Sequence, residues 1–70
     1  MVAEQPARKV QRQLRDAGFT PVRARGSHTW WQHPSGTGVA VPDGHKIITP
    51  GVYRKIIETI ETVETVREEV

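Results

Sequence analysis

The sequence predicts an α+β domain in the order α-β-β-β-α, a three-stranded antiparallel sheet with both helices on one face. Three observations predict it. Apolar residues recur at helical spacing near each end of the chain. Between them lie three short runs of strand-forming residues punctuated by glycine and proline. The connections are too short for a parallel crossover, so the strands must pair as hairpins. Seventy residues make one domain, 1–70. A chain this short removes only about 60% of its surface from water on folding, so each large apolar residue matters.

The first helix is expected over about 5–17. Ala7, Val10, Leu14 and Ala17 form its buried stripe, with Arg8, Lys9, Arg12 and Arg15 off that stripe. Pro6 suits the first helical position, and Gly18 suits a left-handed residue just past the last turn. Residues 1–5 are expected to be disordered.

Phe19 to Arg25 reads as the first strand, with Pro21 placing its start on an edge. Gly26-Ser27 marks a turn, and Ser27 to His33 reads as the second strand. Pro34-Ser35-Gly36-Thr37-Gly38 is a turn, and Val39-Ala40-Val41 is the third strand, stopped by Pro42. Alternation sends Val39 and Val41 inward and Ala40 outward. With Val22 and Ala24 inward, Arg23 and Arg25 point outward. In the second strand alternation allows either His28, Trp30 and Gln32 or Thr29, Trp31 and His33 to face the core.

Asp43 to Ile48 reads as a loop. Thr49-Pro50 opens the second helix, expected over about 50–65, with Val52, Ile56, Ile60 and Val63 as its stripe and Tyr53 and Ile57 at the margin. The tail repeats Glu-Thr-Ile/Val three times from Glu58. Three residues advance about 300° on a helix, so the apolar positions drift about 60° per repeat and cannot all face one core. Residues 64–70 are expected to fray as an acidic tail.

Composition narrows the function. The chain has no cysteine, which removes disulfides, cysteine zinc sites and thiol nucleophiles. It has no apolar run of spanning length and no signal-peptide h-region in Met1 to Pro6, so a soluble cytoplasmic protein with no membrane contact is expected. The net charge is only +2, but residues 1–55 hold nine Lys/Arg against three acids, whereas residues 56–70 hold five Glu against one Arg. A basic body with an acidic tail points to a polyanionic partner such as nucleic acid. Helix-turn-helix spacing is absent, which argues against a DNA-binding domain.

At Gly26-Ser27-His28 the chain resembles the HicA-type toxins, the mRNA interferases of bacterial toxin–antitoxin pairs. The resemblance runs from the basic first helix through Ala17-Gly18-Phe19 and Val22-Arg23-Ala24-Arg25-Gly26-Ser27-His28. It continues through Trp31, His33-Pro34, Val39-Ala40-Val41-Pro42 and His45-Lys46. Ile48-Thr49-Pro50-Gly51-Val52-Tyr53-Arg54-Lys55-Ile56 is similar to the family's Gly-Thr-Leu-Arg-x-Ile segment. Many members carry a second histidine where this chain has Thr29, and Gly51-Val52-Tyr53 stands where the family has Gly-Thr-Leu.

The resemblance implies a fold like that of double-stranded-RNA-binding domains. It also implies endonucleolytic cleavage of mRNA with His28 essential, and a cognate HicB-like antitoxin that covers the active site. It favours Trp31 over Trp30 for the core. The open face then shows Arg23, Arg25, His28, Trp30 and Gln32: cations for phosphate and an aromatic plane for a base. The bland alternative is that Trp30 merely covers the sheet and the arginines are solvated.

RNA carries its own nucleophile, the 2′-OH. Metal-free cleavage needs a base for its proton, an acid for the 5′-oxygen and cations for the phosphate. His28 serves as one of the two, base or acid, with Arg23, Arg25 and Lys46 on phosphate. No cofactor is implied, and three histidines without a carboxylate or cysteine cluster make no metal site. His33 is expected to pack at a strand end. His45 is either a second proton-transfer group or simply solvent-exposed, and its loop position favours solvent. A Ser27-His28-Asp43 triad is set aside because neighbouring strand residues point to opposite faces. The second reading is a non-catalytic RNA-binding or antitoxin-binding module on the same fold. The substrate expected is single-stranded RNA.

Overall fold

The computed structural model describes residues 4–68, with side chains described through Glu64. In chain order the elements are β1 (Gln5–Pro6), α1 (Ala7–Asp16), β2 (Thr20–Arg25), β3 (His28–Gln32), β4 (Gly38–Val41), β5 (Ile47–Ile48) and α2 (Pro50–Glu68). β2, β3 and β4 form the antiparallel sheet in sequential order, as the short connections require. Trp31, Val39 and Val41 are buried on one face of it, against Val10 and Leu14 of α1 and Ile56, Ile60 and Val63 of α2. Trp30 and Ala40 stay exposed on the other. Both helices therefore cover the same face.

The apolar stripe of α1 is buried, and its C-terminus closes as Gly18 predicts. Gly18 adopts φ +97°, its N–H donates to the Arg15 carbonyl at 3.0 Å, and Phe19 N–H reaches the Leu14 carbonyl at 2.9 Å. These bonds satisfy two carbonyls that the helix end leaves open. They also turn the chain so that Phe19 enters the core, almost fully buried, rather than opening the strand. At the start of α2, Thr49 lends its carbonyl to Tyr53 N–H at 2.9 Å, the first bond of the helix. The threonines of the tail repeat bond back one turn, Thr59 to the Lys55 carbonyl and Thr62 to the Glu58 carbonyl, each at 2.9 Å.

Several expectations are corrected. Pro6 does not enter α1. It is the cap residue with φ −64° and ψ 138°, and it pairs with Ile47 while Gln5 pairs with Ile48. The extended ψ suits a strand position, and Ala7 N–H is satisfied by the Lys46 carbonyl at 2.9 Å. Gln5 is thus ordered within a strand, not disordered, and Ile47–Ile48 is a strand, not loop. Ile48 is fully buried. The second strand starts at His28, because Gly26 and Ser27 form the turn.

Val22 is 59% exposed and does not face the core. The register passes from Pro21 opposite Trp31 to Arg23 opposite Trp30, leaving Val22 as an unpaired bulge residue. Ala24 stands opposite Thr29, on the face of Trp31 as expected, but remains exposed on the edge strand. The helical backbone of α2 runs to Glu68. The fraying expected of 64–70 concerns side chains beyond Glu64 and residues 69–70 that lie outside the described residues, as does the disorder expected of 1–3. Among the described residues no helix is long and apolar enough to cross a membrane.

Candidate nucleic-acid interface

Gly26 and Ser27 join β2 to β3 in a two-residue turn. Gly26 has φ +61° in the first central position and Ser27 has negative φ, the pattern of the tight hairpin turn that matches strand twist. This turn sets Arg25 directly opposite His28, and Arg23 opposite Trp30. Directly opposed residues share a face, so the four side chains belong to the open face of the sheet. The bulge at Val22 keeps Arg23 on that face while adding Val22 to it. Val22, Arg23, Arg25, Trp30 and Gln32 line a shallow groove of about 420 Å³.

The Trp30 indole lies across β4, where Gly38 makes room for it. A Cβ at Gly38 would fall inside the indole. Trp30 keeps 43% of its surface exposed, whereas its neighbour Trp31 is 1% exposed. Trp31 instead meets the Arg15 guanidinium, 5.5 Å from its ring centre, and donates its indole N–H to Asp43 at 3.2 Å.

His28 sits where this face meets a second groove of about 640 Å³, walled by His28, Pro42, His45, Lys46, Ile47 and Val52 among others. Two contacts build it. Gly44 N–H donates to the Ser27 carbonyl at 2.8 Å, and a Cβ on Gly44 would stand 2.7 Å from Ser27 Cα. Only glycine lets the loop approach the hairpin turn this closely. Asp43 anchors the same loop. Its carboxylate accepts from Thr29 Oγ1 at 2.7 Å, Gln11 Nε2 at 3.1 Å and Trp31 Nε1 at 3.2 Å. Burial alone would raise its pKa, but the bonds from Thr29, Gln11, Trp31 and its own backbone outweigh that and hold it below the ordinary value.

Arg23, Arg25 and Trp30 thus share one groove, and His28 adjoins it through Arg25. Lys46 lies apart from the arginines, in the second groove with His28. His45 is exposed, as expected, and lines that groove too. His33 packs at the strand end as expected. Its ring stacks at a tilt on Phe19, centroids 5.4 Å apart, and its Nδ1 accepts from Ser35 N–H at 3.0 Å.

Ser27 and His28 do meet, against the expectation from strand alternation. Ser27 belongs to the turn, so alternation does not apply to it, and its Oγ lies 3.3 Å from His28 Nδ1. Asp43 is engaged elsewhere, so the pair is not completed into a triad. Asp43 and His45 were legible only as neighbours in a polar loop. Among the described residues no three His, Asp or Glu side chains gather as metal ligands would.

A family model for the HicA toxin of bacterial toxin–antitoxin systems matches residues 7–61. No curated protein gave a significant match. The matched span runs from the first residue of α1 into α2 and contains every residue of both grooves. With most of its length matched, the chain belongs to the HicA toxin family of bacterial toxin–antitoxin systems.

Proposed function

We propose that this protein is an endoribonuclease that cleaves single-stranded mRNA and is silenced by a cognate HicB-like antitoxin. Membership of the family implies an antitoxin partner. The observation that carries the nuclease reading is the junction at His28. An imidazole stands beside a groove with two guanidiniums and an exposed indole, and opens into a second groove with Lys46.

The chemistry follows from these parts. Phosphates are held by Arg23 and Arg25, and a base stacks on Trp30. Lys46 meets the phosphate in the groove that His28 lines. His28 moves a proton during attack of the 2′-OH on phosphorus, a task for which an imidazole is suited. The products are a 2′,3′-cyclic phosphate and a 5′-hydroxyl. Because the antitoxin must silence the same surface, it is expected to set acidic side chains around an apolar contact at Val22 and Trp30.

Purified protein incubated with single-stranded RNA in excess chelator tests this reading. Cleavage leaving cyclic phosphate ends supports it. Loss of cleavage in chelator, restored by Mg²⁺, contradicts the histidine mechanism.

A further inference from the structure

Two imidazoles from distant parts of the chain line one groove. His28 comes from the start of β3 and His45 from the loop between β4 and β5. The close packing of Gly44 on Ser27 brings them there, and the bonds to Asp43 fix the loop from its other side. Lys46 shares the groove. Among the described residues His45 makes no side-chain hydrogen bond, so both its ring nitrogens are open to a ligand. His33, by contrast, commits its Nδ1 to Ser35.

We propose that His45 is a second catalytic residue, the general acid of RNA cleavage, acting opposite His28 as general base. The inference rests on the nuclease reading above and deepens it. In-line displacement places the attacking 2′-oxygen and the leaving 5′-oxygen on opposite sides of phosphorus. A base and an acid must then reach the phosphate from two sides, which side chains carried into one groove by separate elements, β3 and the β4–β5 loop, can do. Ser27 Oγ lies 3.3 Å from His28 Nδ1. In the tautomer that acts as base, Nδ1–H donates a hydrogen bond to that oxygen and Nε2 keeps its lone pair. His28 Nε2 takes the 2′-OH proton as the 2′-O–P bond forms. The P–O5′ bond breaks, and His45 gives its proton to the departing 5′-oxygen. One proton is taken and one given, and exchange with water resets both rings.

The test uses two matched RNAs, one ordinary and one with sulfur in place of the scissile 5′-oxygen. A thiolate leaves without a proton, because thiols ionise near pH 8.5. His45→Ala and His45→Gln are each compared with the wild type and with His28→Ala, with melting curves as the folding control. His45→Ala is expected to lose about 100-fold or more on the ordinary RNA and to regain near wild-type rates on the sulfur substrate. His28→Ala is expected to stay impaired on both.

Equal impairment of the His45 variants on both substrates, or no impairment on either, overturns the inference while leaving the nuclease reading standing. Rescue of His28→Ala instead overturns the assignment of roles. A wild-type protein that cleaves neither RNA overturns the nuclease reading itself, and this inference with it.

Discussion

The Gly44 amide donates to the Ser27 carbonyl at 2.8 Å, and that bond ties the turn before His28 to the loop that carries His45 and Lys46. The backbones are in contact there. A Cβ on Gly44 would stand 2.7 Å from Ser27 Cα and 2.8 Å from its Cβ. Gly44→Ala is expected to push the loop off the turn and cost about 1–3 kcal/mol, the usual range for overpacking. Chemical denaturation measures the loss. RNA cleavage at a temperature where the variant is fully folded is expected to fall as well.

Trp30 owes its position to a neighbouring strand as much as to its own. Gly38→Ala places a methyl group where the indole lies, so the ring must swing away. Its fluorescence is expected to shift, and RNA affinity to fall towards that of Trp30→Ala. Loss of one stacked base is worth about 1–3 kcal/mol of binding. Titration with short single-stranded RNA reads both changes. Affinity unchanged in Trp30→Ala would leave the indole as a cover for the sheet.

Arg23 and Arg25 share a groove, and in the proposed function both meet anionic partners. Reversing both to Glu is expected to weaken RNA and antitoxin together. The salt slope of RNA binding should also flatten, by about 0.7 for each phosphate of a single strand that is no longer neutralised. Binding measured at several salt concentrations gives that slope directly.

Asp43 links acid stability to the site. Its folded pKa lies below the ordinary value, so the unfolded chain takes up its proton first as pH falls. The stabilisation is present in full above about pH 4, the unfolded value, and is lost as pH drops through the folded one. Asp43→Asn is expected to remove this part of the acid dependence. At pH 7 it should cost about 1–2 kcal/mol, because the bonds from Thr29, Gln11 and Trp31 weaken. Urea melts across pH 3–7 test it. Equal acid dependence in the two proteins would contradict it.

The periodic parts of this fold were legible in the sequence. The stripes of α1 and α2, Gly18 as the helix stop and the inward Val39 and Val41 follow from spacing alone. The arrangement of Arg23, Arg25, His28 and Trp30 on one face was within reach only with help, because alternation left Trp30 and Trp31 open and the family resemblance favoured Trp31 for the core. What escaped was set by tertiary packing. Val22 alternates correctly for a core residue, and only the register shift opposite Trp30 turns it outward. Two residues carry no period, so the pairing of Gln5–Pro6 with Ile47–Ile48 leaves no trace in the pattern. Asp43 reads as a turn residue, and its three partners lie on α1 and β3. His45 is exposed as its loop position suggests, but nothing local announces that Gly44 docks on Ser27 and sets it in the groove of His28.

In the proposed function His28 performs chemistry rather than mere binding. Single-turnover cleavage and RNA affinity, measured side by side for the wild type and His28→Ala, test it most directly. Cleavage is expected to fall about 100-fold or more with affinity largely retained, because the arginine groove and Trp30 are untouched. Cleavage at the wild-type rate in His28→Ala would contradict it, as would a wild-type protein that binds RNA and leaves it intact.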